Sequence, residues 1–392
     1  MVHSVKKSIA LSAPEIRGNE WKYIKDCLDS GWVSSVGAYV DRFEQLVATA
    51  VGTRYAVATC NGTVALHTAL LVAGVQPDDE VLVSTLTFIA PVNAIRYANA
   101  WPVFVDAERD YWQLDTAKLA DFLRNGCHRI GGKLLNRSSG RCIRAILPVH
   151  ILGHPVDMDP VLSLAREYQL AVIEDASECL GSRYRGRAVG SLGDIACLSF
   201  NGNKIITTGG GGMIVTDKPD WAARAKYLTT QAKDDPVEFV HGAIGYNYRL
   251  TNIQAAMGCA QLERLSSHLG SKQRIAGRYQ DGLSGVPGLT VMPSAPWAQA
   301  TFWLYTILIE PNESGSDSRR IMRELESNGI QSRPLWQPIH KSPAHANCQA
   351  CHCDTAEWLN ARALSLPSSV GLSTDDQDSV IRCLLEAYGQ RS

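Results

Sequence analysis

The chain lacks an excess of either charge. Its 392 residues carry 38 Lys and Arg against 39 Asp and Glu, a formal net charge of −1. A protein that binds nucleic acid or an anionic membrane surface usually shows a clear basic surplus, so neither partner is expected. No apolar run approaches the ~20 residues that span a bilayer. The opening stretch, MVHSVKKSIALSAPEIRG, has neither the basic region nor the apolar region of a secretory leader. A cytoplasmic location is the resulting expectation, with reduced thiols for the 11 scattered cysteines. Internal repeats and low-complexity segments are missing. So are a Walker glycine–lysine–serine loop and a G-x-G-x-x-G between strand and helix, which argues against a Rossmann-type dehydrogenase.

What is present is ordinary globular material, 45% hydrophobic and 20% charged, enough for a sizeable core. Short Val- and Ile-rich runs predict strands at 54–59, 80–84, 102–106, 145–150, 171–175, 195–200 and 212–216. Amphipathic stretches between or after them predict helices at 63–73, 88–99, 115–124, 157–168, 252–265 and 272–283. Alternation of this kind gives βαβ units and a mainly parallel sheet, with ligands at the carboxyl ends of the strands. A polar excursion at 124–144 reads as a surface hairpin. After about residue 285 the pattern changes to a strand at 302–309 and helices at 318–328 and 374–388, a smaller α+β unit.

Three places just after strands carry chemistry. Cys60-Asn61-Gly62-Thr63 opens a helix with a tight glycine turn, a ready anion site or a plain helix cap. Asp175, beside Glu174, ends a buried strand and needs a cationic or hydrogen-bonding partner there. Ser199-Phe200-Asn201-Gly202-Asn203-Lys204 places a lysine after another buried strand, followed by Gly209-Gly210-Gly211-Gly212, where the backbone can turn sharply or approach another group. Taken together, a lysine, a buried acid and an anion cradle suit pyridoxal phosphate. That cofactor needs a Schiff-base lysine, an acid at its pyridine nitrogen and a site for its phosphate.

The stretches EDASECLGS and SFNGNKIITTGGGGM resemble the DegT/StrS-type sugar-nucleotide aminotransferases. The likeness runs from GWVSS at 31–35 to LSLPSS at 364–369. It implies an aspartate-aminotransferase-like type I fold, with an N-terminal arm at 1–30, a large α/β pyridoxal-phosphate domain at 31–265 and a small α+β domain at 266–392. By the same resemblance, Lys204 would carry the Schiff base and move protons. Asp175 would meet the ring nitrogen and Phe88 would stack on the ring, while Gly62, Thr63 and Ser199 would hold the phosphate. Asn247 and Arg249, in GYNYRLTN, would reach the phosphate of a neighbouring subunit, so a homodimer with shared active sites is implied; as residues alone they read as a helix-capping turn.

Glu178 stands where many relatives place Gln or His near the cofactor's phenolic oxygen. A carboxylate there must be protonated or bridged by a donor. Glu178 is similar to one subgroup, the enzymes that aminate carbon 4 of UDP-4-keto-6-deoxy-N-acetylhexosamines. So are HILGHPVDMDP at 150–160, the 124–144 excursion and SRPLWQPIH at 332–340. UDP-4-keto-6-deoxy-N-acetylglucosamine is therefore the expected acceptor, with L-glutamate as donor and GDP-4-keto-6-deoxymannose as the alternative. Sugar dehydratases of this family have histidine at the lysine position, and Lys204 argues against that activity. A non-catalytic sugar-binding protein would not need a lysine, an aspartate and a serine together. His150, Trp336 and His340 are the candidate substrate contacts. Cys348, Cys351 and Cys353 lack a second distant pair, so a Cys-rich surface loop is expected there and no metal site.

Overall fold

The apolar runs of the first half pair into one sheet in a computed structural model that describes residues 8–235, 237–311 and 317–389. The expected N-terminal arm at 1–7, the large domain at 236 and the small domain at 312–316 and 390–392 include positions outside the described residues. In chain order the strands are β1 (Tyr55–Thr59), β2 (Glu80–Ser84), β3 (Trp101–Val105), β4 (Ile143–Leu147), β5 (Ala171–Asp175), β6 (Ile195–Ser199), β7 (Gly212–Thr216) and β8 (Gln349–Cys351). Their spatial order is β1-β7-β6-β5-β4-β2-β3-β8. Every neighbour pair is parallel except those of β7, which is antiparallel to both β1 and β6.

A mostly parallel sheet is covered on both faces, so its strands read as continuous apolar runs. Val81, Leu82 and Val83 of β2 are at most 1% exposed, each stabilising the fold by roughly 1.5–3 kcal/mol relative to an exposed side chain. The helix Gly62–Val72 packs on β6 and β7, and the helices Glu20–Ser30 and Ala38–Val51 pack on the helix Asn252–Leu262.

Several boundaries move for identifiable reasons. The strand expected at 145–150 ends at Leu147 because Pro148 cannot donate to a ladder; beyond it only Val149 bridges to Asp175. The helix expected from 88 begins at Ala90, with Pro91 in its first turn, which leaves Phe88 in the loop. The strand expected from 302 starts at Tyr305, since Phe302 has φ of 51°. The excursion contains the expected hairpin, Cys127–Ile130 paired with Lys133–Asn136 about a Gly131-Gly132 turn.

A second sheet, antiparallel throughout, joins Leu289–Thr290, Tyr305–Ile309, Ala363–Leu366 and Arg333–Pro334. The helices Leu265–Leu283, Ser318–Ser327 and Thr374–Tyr388 belong to the same half of the chain. The first of these runs 19 residues where a helix from 272 was expected. Its buried stripe is His268, Lys272, Ile275, Ala276, Tyr279 and Leu283, an amphipathic spacing with a lysine at a core position. The Cys-rich segment is not a surface loop. Gln349–Cys351 forms β8 at the edge of the large sheet, and Cys353 is buried.

Candidate active site at the carboxyl ends of the strands

A cavity of about 600 Å³ opens where β1, β5 and β6 end. Asn61 caps the helix Gly62–Val72 by accepting the Val64 N–H at 3.0 Å. That leaves the N–H groups of the first turn, at Gly62 and Thr63, without intrahelical acceptors. A Cβ on Gly62 would lie 3.0 Å from Ser199 Cβ and 3.4 Å from Ser177 Oγ, so two hydroxyls crowd the same helix start. Behind this turn runs β7: a Cβ on Gly212 would lie 2.5 Å from the carbonyl carbon of Asn61. The glycine run thus permits a close approach that places the turn.

Asp175 ends β5, is 4% exposed and accepts the Ser177 N–H at 3.0 Å. Burial pushes its carboxyl above the ordinary range, against the pull of the Ser177 bonds and of Lys204. A carboxylate so placed lacks full compensation and suits a cationic partner in the cavity. Glu178 accepts the Leu152 N–H at 2.8 Å through Oε2, while its Oε1 lies 3.5 Å from Lys204 Nζ. Burial pushes Glu178 up to about 7 even with Lys204 beside it. The donors that a carboxylate at this position requires are therefore present. Lys204 Nζ also lies 4.0 Å from the centre of the Trp303 ring.

Phe88 borders the cavity with 54% of its surface exposed. His150 lines the cavity too, but both ring nitrogens are committed. Its Nδ1 accepts the Val156 N–H at 3.0 Å, and its Nε2 faces Glu174 at 3.1 Å. Glu174 also accepts the N–H groups of Gly190, Leu192 and Gly193. Burial raises its pKa, but the His150 and N–H bonds outweigh that and hold it below the usual range. His150 thus has no free ring nitrogen to offer the cavity. Trp336 lines the cavity from the C-terminal half.

Three expected residues stand elsewhere. His340 does not border the cavity; its nitrogens meet Thr85 Oγ1 at 2.8 Å and Glu357 at 3.0 Å, tying a C-terminal loop to the segment after β2. Arg249 borders a separate cavity of about 220 Å³ with Ser35, Gly37 and Leu250. Asn247 is exposed and bridges Thr230 through its backbone. Neither caps the helix Asn252–Leu262, because Thr251 does so in a capping box with Gln254.

Among the cavity residues to which the sequence assigned no role are Ser177, Asn203, Trp303 and Arg333. Ser177 stood two positions after a strand-ending aspartate and was open to notice. Trp303 comes from a distant segment with no local signal, and Arg333 lies in the SRPLWQPIH stretch without being singled out there. Asn203 Oδ1 is buried with no partner among the described residues.

These residues fit pyridoxal phosphate. The helix start with Ser199 and Ser177 forms an anion cradle, Asp175 is an under-compensated buried acid, and Lys204 is a cavity-facing amine. The model of the DegT/DnrJ/EryC1/StrS aminotransferase family matches residues 14–385. The GDP-perosamine synthase of Caulobacter vibrioides is 41% identical, over 96% of this chain and 97% of that one. The GDP-perosamine synthase of Escherichia coli O157:H7 is 37% identical, over 98% and 100%. The crystal structure of the aminotransferase TlmJ from Streptoalloteichus hindustanus superposes with a TM-score of 0.87 at 27% identity, covering 97% and 98%. With the family matched over nearly its whole length, the chain belongs to the DegT/DnrJ/EryC1/StrS aminotransferases and is a pyridoxal-phosphate-dependent sugar aminotransferase.

Proposed function

We propose that the protein transfers an amino group from L-glutamate to carbon 4 of GDP-4-keto-6-deoxymannose. The observation that carries the choice of nucleotide is the end-to-end similarity to two GDP-perosamine synthases, at 41% and 37% identity. Short motifs at 124–144, 150–160 and 332–340 favour a UDP-linked N-acetyl sugar instead. They cover a small part of the chain, and the whole-length likeness outweighs them.

When bound, pyridoxal phosphate supplies an electron sink and a carbonyl that accepts and passes on an amino group. Lys204 would hold the cofactor through its amine and, where that amine is free, would move a proton at the reacting carbon. Asp175 keeps a proton on the ring nitrogen, a role that its burial and incomplete compensation support. Ser199, Thr63 and the N–H groups at Gly62 and Thr63 bind the phosphate, and Phe88 covers one ring face. Trp336, beside Arg333 in the cavity lining, is the remaining substrate contact. Asn247 and Arg249 serve the site of a partner subunit in a homodimer. Neither lines this chain's own cavity, which supports that reading, as does the buried Arg249 Nε, which has no partner among the described residues.

The test is mass spectrometry of products from glutamate with GDP-4-keto-6-deoxymannose or UDP-4-keto-6-deoxy-N-acetylglucosamine. A 4-amino product from the GDP sugar is expected. Product from the UDP sugar alone would overturn the nucleotide assignment, and product from neither, with a yellow protein that bleaches with glutamate, would overturn both acceptors.

A further inference from the structure

Lys272 is 2% exposed, on the buried stripe of the helix Leu265–Leu283. No carboxylate pairs with it among the described residues; its amine donates instead to two main-chain carbonyls, of Trp303 at 2.8 Å and of Ser368. Burying an amine without an anion is costly, and a core position of this helix would be filled more cheaply by Leu or Met. Trp303 in turn holds the cofactor-binding segment at two points. Its indole N–H donates to the Asn203 carbonyl at 2.7 Å, and its ring face lies under the Lys204 amine at 4.0 Å from the centroid. The same Asn203 carbonyl accepts Ser12 Oγ at 2.9 Å, so the residue before Lys204 is pinned from two sides.

We infer that Lys272 and Trp303 form a positioning pair for Lys204: Lys272 fixes the main chain of Trp303, and Trp303 holds the Lys204 amine toward the cavity whenever that amine is not bonded to the cofactor. The inference rests on Lys204 being the cofactor lysine. An ammonium over an indole face is attracted by the ring quadrupole, and the attraction grows as water is excluded. Glu178, at 3.5 Å, faces the amine as well, so the amine has a carboxylate and an indole as its two resting contacts. Without the ring, the freed amine would sample more of the cavity and return to the reacting carbon less often.

The experiment compares wild type with Trp303→Leu, Trp303→Phe and Lys272→Met. Each protein is stripped of cofactor, then mixed with pyridoxal phosphate while the visible band is followed. Single-turnover bleaching with glutamate follows, extrapolated to saturation. Trp303→Leu is expected to slow both rates by about ten-fold, within the range of a partly desolvated cation–π contact. Trp303→Phe keeps a ring face and is expected to fall between Leu and wild type. Lys272→Met is expected to resemble Trp303→Leu per folded molecule, with glutamate affinity little changed. Trp303→Leu at the wild-type rate overturns the proposal whether or not Lys272→Met folds. A folded Lys272→Met with wild-type rates overturns it as well. Borohydride reduction and peptide mapping of the wild type checks the premise separately: if the cofactor is fixed to a residue other than Lys204, it is the lysine assignment that fails.

Discussion

Glu178 Oε1 stands 3.5 Å from the Lys204 amine, although one residue follows β5 and the other follows β6. Burial holds Glu178 at about 7, well above the 4.5 of an ordinary glutamate. Its folded value is raised, so its contribution to stability is fully present below about 4.5 and is lost as pH rises through about 7. Cofactor-free Glu178→Gln should therefore gain stability relative to wild type between those values. Urea unfolding across that range measures it; a constant difference would contradict the placement of Glu178.

Asp175→Asn tests the acid beneath the cavity. The amide keeps the size and the hydrogen bond from Ser177 but removes the charge that a cationic ring nitrogen would face. The bleaching rate with glutamate should fall by about 10²–10³-fold, the cost of losing one preorganised electrostatic partner. Circular dichroism should report an unchanged fold.

Gly212→Ala probes the close approach of β7 to the Asn61 turn. The added methyl would meet the Asn61 carbonyl carbon at 2.5 Å, and main chain on both sides cannot yield cheaply. A loss of about 1–3 kcal/mol is expected from overpacking, read as a lower urea midpoint. Weaker retention of pyridoxal phosphate should accompany it, because the displaced turn carries Gly62 and Thr63.

Lys272 gives a pH signature of the opposite kind. Burial lowers its amine from 10.5 to about 7, so between those values the unfolded chain binds more protons than the folded one. Wild type should thus become more stable relative to Lys272→Met as pH rises from about 7 toward 10.5. The difference between the two unfolding free energies, taken at several pH values in that window, measures this. A flat difference would mean that the amine is not desolvated as its burial implies.

The residues that end strands were legible because a buried apolar run closing on Asp175, or followed by a lysine such as Lys204, breaks a pattern that the eye can follow. β5 and β7 have the bounds expected for them for the same reason. Lys272 was missed because the helix was started at 272, which put the lysine in a first turn instead of on the stripe from His268 to Leu283. Trp303 and Arg333 approach the cavity from segments far along the chain, and no local spacing reports a non-local meeting. The sequence reading took the segment of β8 for a loop because three residues with a terminal cysteine carry almost no strand propensity; its pairing with β3 makes it a strand.

That last strand has a consequence for how the chain survives. β3 is apolar, and β8 occupies the outer ladder that β3 would otherwise present to solvent. An uncovered apolar edge is a template for pairing with other chains. A truncation before residue 349 would therefore do more than remove C-terminal helices. It would turn Trp101–Val105 into an adhesive margin, and the fragment would aggregate through it even where Lys204 and Asp175 stayed in place.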